Sequence, residues 1–100
     1  MITKEEARKL ALEKILWNWN IENDEPFIFD DSTIEKEFGW VFFYNSRKFV
    51  ETDEFSYCLA GNAPIIVNKF DGSTHYTGTA YETEHYIDDY EKTLQTHLRS

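Results

Sequence analysis

The sequence has little cysteine, little basic charge and no long apolar run. Its single cysteine, Cys58, excludes an internal disulfide and fits a reducing cytoplasm. No apolar stretch approaches the ~18–20 residues that span a bilayer, and no basic segment is followed by an apolar one near residue 1, so neither a membrane span nor a secretory signal is expected. Lys and Arg number 10 against 19 Asp and Glu, and the net charge of -9 argues against binding to nucleic acid or anionic membranes.

Aromatic residues, in contrast, are abundant: they make up 17% of the 100 residues, and hydrophobic residues as a whole reach 41%. Each buried aromatic side chain removes on the order of 150–250 Å² from water, so even a chain this short can build a core. This composition excludes an intrinsically disordered protein. The length accommodates one domain, which we expect to span residues 1–100.

Two amphipathic helices are predicted, one towards each end of the chain. Thr3 and Glu6 form a capping-box pattern, and the apolar spacing that follows predicts a helix over about residues 4–19. Thr83 is a candidate N-cap for a second helix. The apolar positions of that helix recur every three or four residues, at Ile87, Tyr90, Leu94 and Leu98.

The middle of the chain predicts antiparallel strands. Residues that favour strands cluster at 27–29, 34–38 and 40–44 and briefly at Phe49-Val50, followed by a mostly loop-like stretch over 51–63. Asp71-Gly72 between two strand-like runs predicts a hairpin, because Gly tolerates the positive φ that its turn requires. The expected order is α-β-β-β-β-α. It predicts an α+β fold, a two-layer sandwich with the N- and C-terminal helices on one face of a four-stranded antiparallel sheet.

A search for catalytic and metal-binding patterns favours a protein without enzymatic activity, cofactor or metal. The potential ligands Cys58, His75, His85 and His97 show no paired ligand spacing. His85 and Asp89 lie four residues apart on the second predicted helix, which indicates a weak surface ion pair. Cys58 lies beside apolar residues and reads as a small buried hydrophobe. Phosphate-binding and dinucleotide-binding glycine motifs are absent from the sequence.

Acidic residues are concentrated in two stretches. Residues 22–37 hold seven acids and one base, and residues 82–91 hold five acids and no base. Spread over the surface, this charge would simply keep the protein soluble. Gathered on one side, it would speed and orient the encounter with a basic partner. The charge pattern alone leaves both interpretations open.

Several motifs resemble one protein family in their order and spacing. They are Phe38–Tyr44, the run Leu-Ala-Gly-Asn-Ala-Pro-Ile-Ile-Val over 59–67, Asp71-Gly72, Gly78–Ala80 and the closing helix around Tyr86–Tyr90. With these residues the chain resembles the immunity protein 35 family, which includes the YrhB-like small bacterial proteins. Two positions depart from the family pattern: Asp53 follows Thr52 where a Gly is usual, and Asn68 stands where an Asp is common.

The resemblance implies a small cytoplasmic bacterial protein that binds and neutralises a cognate toxin, with no catalytic residues of its own. The expected mechanism is steric occlusion of the toxin, assisted by acidic steering towards a basic surface. Contacts with such a partner are expected from exposed acids and aromatics on loops, which the core does not need. The candidate partner-binding residues are Asp30, Asp31, Glu35, Glu37, Glu51, Asp53, Glu54 and Phe55.

Two alternatives remain open at this point. A small, heat-stable, chaperone-like protein that binds unfolded clients would expose a sizeable apolar patch and bind without selectivity. A small hydrolase would need Cys58 exposed beside a histidine, with a depressed thiol pKa. The toxin itself could be a nuclease, whose surface is basic because it binds phosphates, or a protease.

Overall fold

A computed structural model describes residues 1–59 and 62–99, with side chains over 1–59 and 62–94; over this part of the chain it shows three α-helices, six short strands and two 3-10 helices. In chain order these are α1 (Lys4–Trp17), β1 (Pro26–Ile28), the first 3-10 helix (Asp30–Ser32), β2 (Ile34–Lys36), β3 (Gly39–Phe42), β4 (Tyr44–Ser46), α2 (Arg47–Thr52), the second 3-10 helix (Phe55–Tyr57), β5 (Ile65–Asn68), β6 (Thr74–Tyr76) and α3 (Thr83–Arg99). Across this same part of the chain, none of the helices has the length and apolar character needed to cross a membrane.

Helix α1 begins as its sequence predicts. The Thr3 hydroxyl accepts the Glu6 amide at 3.2 Å and the Glu6 carboxylate accepts the Thr3 amide at 3.3 Å, so the capping box is confirmed. The helix ends at Trp17, two residues before the predicted end, and Asn18 caps it by donating its amide to the carbonyls of Ile15 and Leu16. One face of α1 is fully buried, at Ala7, Ala11 and Ile15.

The six strands form two antiparallel sheets, so the expectation of a single four-stranded sheet is only partly right. One sheet has the order β2-β3-β5-β6 and the other pairs β1 with β4. Phe43 alone separates β3 from β4, and its carbonyl accepts the Phe29 amide at 2.9 Å. Strands β1 and β2 therefore pair with successive halves of one long segment. The first 3-10 helix lies between β1 and β2 and interrupts them, so β1 and β4 form a second sheet.

The Asp71-Gly72 hairpin is confirmed. It joins β5 to β6, and Gly72 adopts a positive φ of 72°. The Asp71 Oδ1 accepts the Ser73 hydroxyl at 2.6 Å and the Ser73 amide at 2.8 Å, which lowers the pKa of Asp71 below its usual value. The turn is therefore fixed by its own side chains as well as by the glycine.

Helices cover both faces of the larger sheet, which corrects the expected two-layer arrangement to three layers. On one face α1 packs against side chains that include Phe42, Ile65 and Val67. On the other face Ile87 of α3 packs against residues that include Val41 and Ile66. Neighbouring residues of one strand point to opposite faces, so a strand covered on both sides reads as a continuous apolar run, as β5 does.

Helix α2 was not expected, and the prediction that Phe49-Val50 briefly resumes a strand is wrong. These two residues lie inside α2. Ser46 ends β4 and also caps the helix, because its hydroxyl oxygen accepts the Phe49 amide at 3.3 Å. The loop expected over residues 51–63 accordingly begins with the last turn of α2 and contains the second 3-10 helix.

Candidate functional surface

The eight predicted partner-binding residues are all exposed and belong to two separate segments. The first segment, residues 30–37, comprises the first 3-10 helix, β2 and the turn after it. The second, residues 51–55, runs from the end of α2 into the second 3-10 helix. Since β1 leads into the first segment and its antiparallel partner β4 leads into α2, the first segment and α2 leave the small sheet at opposite ends.

Some of these acids form ion pairs within the protein. Asp30 Oδ1 lies 2.7 Å from Nε of Arg8, and Glu35 Oε1 lies 3.3 Å from Nζ of Lys4. Both basic residues belong to the exposed side of α1. Such exposed pairs contribute about 0–1 kcal/mol to stability, but each cation lowers the negative potential that a partner would meet. Asp31 and Glu37 form no ion pair within the described part of the chain.

The beginning of α2 is held by Asp24, a residue from the loop before β1. Its Oδ2 accepts the hydroxyl of Ser46, and its Oδ1 accepts the amides of Glu25 at 2.8 Å and Lys48 at 3.2 Å. Partial burial by itself would raise the pKa of Asp24. The hydrogen bonds from Ser46, Lys48 and Glu25, together with the Lys48 charge, outweigh it and hold that pKa below its usual value. The carboxylate is therefore an ionised cap that ties α2 to the rest of the protein.

The end of α2 is fixed by Asp53. This residue has a φ of 59°, in the left-handed region, and its amide donates to the Phe49 carbonyl at 2.7 Å. Left-handed C-caps are usually Gly, and Gly is also the residue that the resemblance leads us to expect after Thr52. Asp53 thus makes the same turn as the expected glycine would, although its side chain adds a negative charge.

An apolar cluster lies beside these acids, which we call the α2 patch: Phe49, Val50, Phe55 and Tyr57. Phe55 is 86% exposed, and its ring centroid lies 6.3 Å from that of the half-buried Phe49. Val50 and Tyr57 are also exposed. Of these four residues only Phe55 is a predicted contact, because the sequence pattern places Phe49 and Val50 in a strand. The Ser46 capping position was the signal that could have revealed the helix and its exposed apolar side.

A groove of about 500 Å³ lies between the first 3-10 helix and the loop before β5. Its apolar lining is Phe29, Ile34 and Phe43, and the carboxamide side chains of Asn45 and Asn62 line it as well. The Asn62 Nδ2 donates to the Tyr44 carbonyl at 2.6 Å, which holds the loop against β4. The lining contains no carboxylate and no basic side chain, so the groove can accept an apolar side chain but offers no charge to a ligand at neutral pH.

The candidate nucleophile and histidines are dispersed. The Cys58 Sγ accepts from Asn45 Nδ2 at 3.8 Å, and within the described residues no hydrogen bond joins Cys58 to a histidine. His85 stacks on Tyr81 with centroids 4.4 Å apart and lies 3.3 Å from Asp89, the surface pair that its spacing predicts. The side chain of His97 lies outside the described residues. Among the residues that the structure describes, no three or more His, Cys, Asp or Glu are grouped so that they could hold a metal ion.

Comparison with known proteins gives two matches. The family model described as immunity protein 35 matches residues 23–89, a range that contains both predicted segments, the α2 patch and the start of α3. The chain is also 47% identical over 53 residues to the uncharacterized protein YrhB of Escherichia coli (strain K12). That match covers 53% of this chain and 56% of the relative, so the chain aligns with about half the length of YrhB. No solved structure matches the chain significantly.

Proposed function

The chain belongs to the immunity protein 35 family, and from this membership we propose that it binds a cognate bacterial toxin and neutralises it. The family match is the observation that carries the proposal. The exposed acids and the α2 patch support it, because an inhibitor of this kind needs an accessible and chemically distinctive surface. The match leaves the toxin's own chemistry open, whether nuclease or protease.

The proposed mechanism is steric occlusion with electrostatic steering. A net charge of -9 attracts a basic toxin surface over a distance of about 8–10 Å at ordinary ionic strength. The bound protein then covers the toxin's active site. The residues proposed to make contact are the eight exposed ones of the two segments: Asp30, Asp31, Glu35, Glu37, Glu51, Asp53, Glu54 and Phe55.

In this proposal the protein acts as one domain in the bacterial cytoplasm and catalyses no reaction. Cys58 is half-buried against Asn45 and Leu59. The Leu59 amide donates to Asn45 Oδ1 at 3.1 Å, so the three residues form a local structural contact at β4. Replacing Cys58 with Ala should leave neutralisation of the toxin unchanged, whereas a thiol-dependent hydrolase would lose its activity.

The direct test is co-purification with the product of the adjacent gene, which we expect to be the toxin. We expect a one-to-one complex between this chain and the toxin's purified C-terminal domain, with an affinity that falls as salt rises from about 50 to 500 mM. Co-expression should also rescue cells from that domain. A matched control is the C-terminal domain of a non-cognate toxin of similar pI, which should bind at least about 100-fold more weakly. Absence of binding to the neighbouring toxin would refute the proposal.

A chaperone-like role is a second candidate, favoured by the exposure of large apolar side chains. Trp17 is 89% exposed and Phe70 64% exposed, in addition to Phe55. Burial of such side chains against unfolded clients would be driven by apolar area and would change little with salt. Suppression of aggregation of an unrelated client at low and high salt alike would therefore support this role. An effect that needs one particular partner would exclude it.

A further inference from the structure

We propose that the α2 patch, and Phe55 above all, is the anchor that keeps the toxin bound, whereas the acids of residues 30–37 act mainly during encounter. This inference rests on the proposed function and assigns different roles to the two contact segments. It assigns the slow dissociation of the complex to one aromatic surface and the speed of its formation to another part of the molecule.

The patch is exposed and is built around two neighbouring phenylalanine rings. Phe55 projects almost its whole ring into solvent and stands on the half-buried ring of Phe49. Val50 lies on the same helix as Phe49, and Tyr57 is two residues beyond Phe55. An exposed aromatic with apolar neighbours gains most when a partner pocket covers it, and such residues dominate the binding energy of interfaces.

The backbone that carries the patch is held in place before any partner binds. Asp24 and Ser46 hold the first turn of α2, and Asp53 closes its last turn. In the second 3-10 helix, the Tyr57 amide donates to the Glu54 carbonyl and the Cys58 amide to the Phe55 carbonyl, both at 3.0 Å. A preformed surface loses little conformational entropy when it binds, so more of the contact energy remains as affinity.

The charged residues around the patch indicate which kind of partner surface it fits. Glu51, Asp53 and Glu54 adjoin the patch in sequence, and neither Asp53 nor Glu54 forms an ion pair within the described residues. Lys48 adjoins it too, with its Nζ 5.5 Å from the Tyr57 ring centroid. Glu51 Oε1 lies 3.7 Å from Nε of Arg47, which it shares with Glu25. The complementary surface is a toxin domain with an apolar pocket bordered by Lys or Arg. The three acids outnumber Arg47 and Lys48, the two basic residues of α2, so a phosphate backbone or an anionic membrane is a less favourable occupant.

Residues 30–37 offer charge without a comparable anchor. In this segment Ile34 is half-buried against the core under α3, and the exposed side chains are polar. Asp30 and Glu35 are already paired with α1, which leaves Asp31 and Glu37 as the acids without an internal ion pair in this part of the chain. Charges at an interface rim change the association rate more than the dissociation rate.

The experiment measures association and dissociation rates separately, with the purified C-terminal domain of the neighbouring toxin as the probe. Phe55→Ala should raise the dissociation rate by about 30-fold or more and change the association rate less than about threefold. Phe70→Ala is the matched control: it removes the same side chain from an exposed turn where Lys69 lies 5.2 Å from the ring, and its dissociation rate should stay within about twofold. The double variant Asp31→Asn, Glu37→Gln should slow association about threefold at low salt, with dissociation unchanged.

The possible outcomes separate the two proposals. If the wild-type chain fails to bind the toxin domain, the proposed function falls and this inference falls with it. If the wild type binds and Phe55→Ala behaves as Phe70→Ala does, the function stands and the anchor is refuted. Hydrogen exchange gives a second readout: protection in the complex should centre on residues 47–58. Protection confined to the Phe29, Ile34 and Phe43 groove would place the anchor there and overturn the inference.

Discussion

The hydroxyl of Ser46 donates a hydrogen bond to the Oδ2 of Asp24, across the start of the β1–β4 ladder. The same oxygen of Ser46 accepts the Phe49 amide at 3.3 Å, while Asp24 Oδ1 accepts the Lys48 amide. Two side chains thus satisfy the first amides of α2. Since α2 carries the proposed anchor surface, this pair determines how firmly that surface is held.

Replacement of Asp24 with Ala should destabilise the protein by about 1–2 kcal/mol, because the α2 amide and the Ser46 hydroxyl lose their acceptor. Asp24→Asn keeps one acceptor oxygen and should cost less. The check is urea unfolding at pH 7. Toxin binding should weaken in Asp24→Ala through the loosened helix; equal stability of wild type and Asp24→Ala would show that the cap does not hold α2.

The same carboxylate predicts a pH dependence. The pKa of Asp24 is held below its unfolded value of about 3.9, so its stabilising effect is complete above that pH and is lost as pH falls through the folded pKa. The stability difference between wild type and Asp24→Ala should accordingly be constant from about pH 5 to 7 and shrink below about pH 4. A difference that persists unchanged at pH 2 would contradict the assignment.

Gly39→Ala should be severely destabilising, by about 3 kcal/mol or more. Gly39 has a φ of 147°, and an added Cβ would lie 2.0 Å from the carbonyl oxygen of Val67 on the neighbouring strand. Gly72→Ala is the matched control, since its positive φ is also unfavourable but its Cβ would meet only the Leu10 side chain at 3.6 Å. Its cost should be near 1 kcal/mol. Similar unfolding midpoints for the two variants would refute the role of the strand contact.

Tyr90→Phe should loosen α3 from the sheet. The Nδ2 of the buried Asn68 donates to the Tyr90 hydroxyl at 3.0 Å, and its Oδ1 accepts the Phe70 amide at 2.8 Å. Removing the hydroxyl leaves a buried donor without a partner, which costs about 1–3 kcal/mol. Tyr86→Phe is the control, because the Tyr86 hydroxyl accepts hydrogen bonds from two exposed amides, and water can replace it there. Faster hydrogen exchange in α3 should accompany Tyr90→Phe and be smaller in Tyr86→Phe.

Alkaline pH should destabilise the protein through Tyr44. Burial, followed by the charge and hydrogen bond of Tyr76, raises the pKa of Tyr44 from 10.0 to about 12. The unfolded chain therefore releases this proton first, and stability falls as pH rises from 10 towards 12, by about 2 kcal/mol from this group. Tyr44→Phe should lack that component. Parallel stability curves for the two proteins between pH 9 and 12 would refute it.

The sequence predicts the parts of the fold that depend on neighbouring residues. The capping box at Thr3 and Glu6 and the hairpin at Asp71-Gly72 are confirmed, because each signal and its structural effect lie within four residues. The arrangement of layers depends on distant contacts. The run Ile65-Ile66-Val67 already indicates a strand buried on both faces, yet nothing local shows that α1 and α3 would take opposite sides.

Prediction of the candidate surface is limited by the same distinction. The eight residues are exposed as expected, and Phe55 could be named because it follows an acidic, loop-like stretch. Their internal pairing with Arg8 and Lys4 could not be foreseen, since those partners lie more than 20 residues away on α1. In the sequence, Asp24 is simply one of the seven acids of residues 22–37. Its role depends on Ser46, which the β1–β4 ladder brings next to it.

The occupied faces of the larger sheet have a consequence for how such a protein diversifies. Within the described part of the chain, α1 covers one face of the larger sheet and α3 the other, so we expect a partner to contact the loops and short helices outside that sheet. Substitutions there leave the interior untouched. The same fold can therefore acquire specificity for a different partner through a few substitutions of exposed side chains.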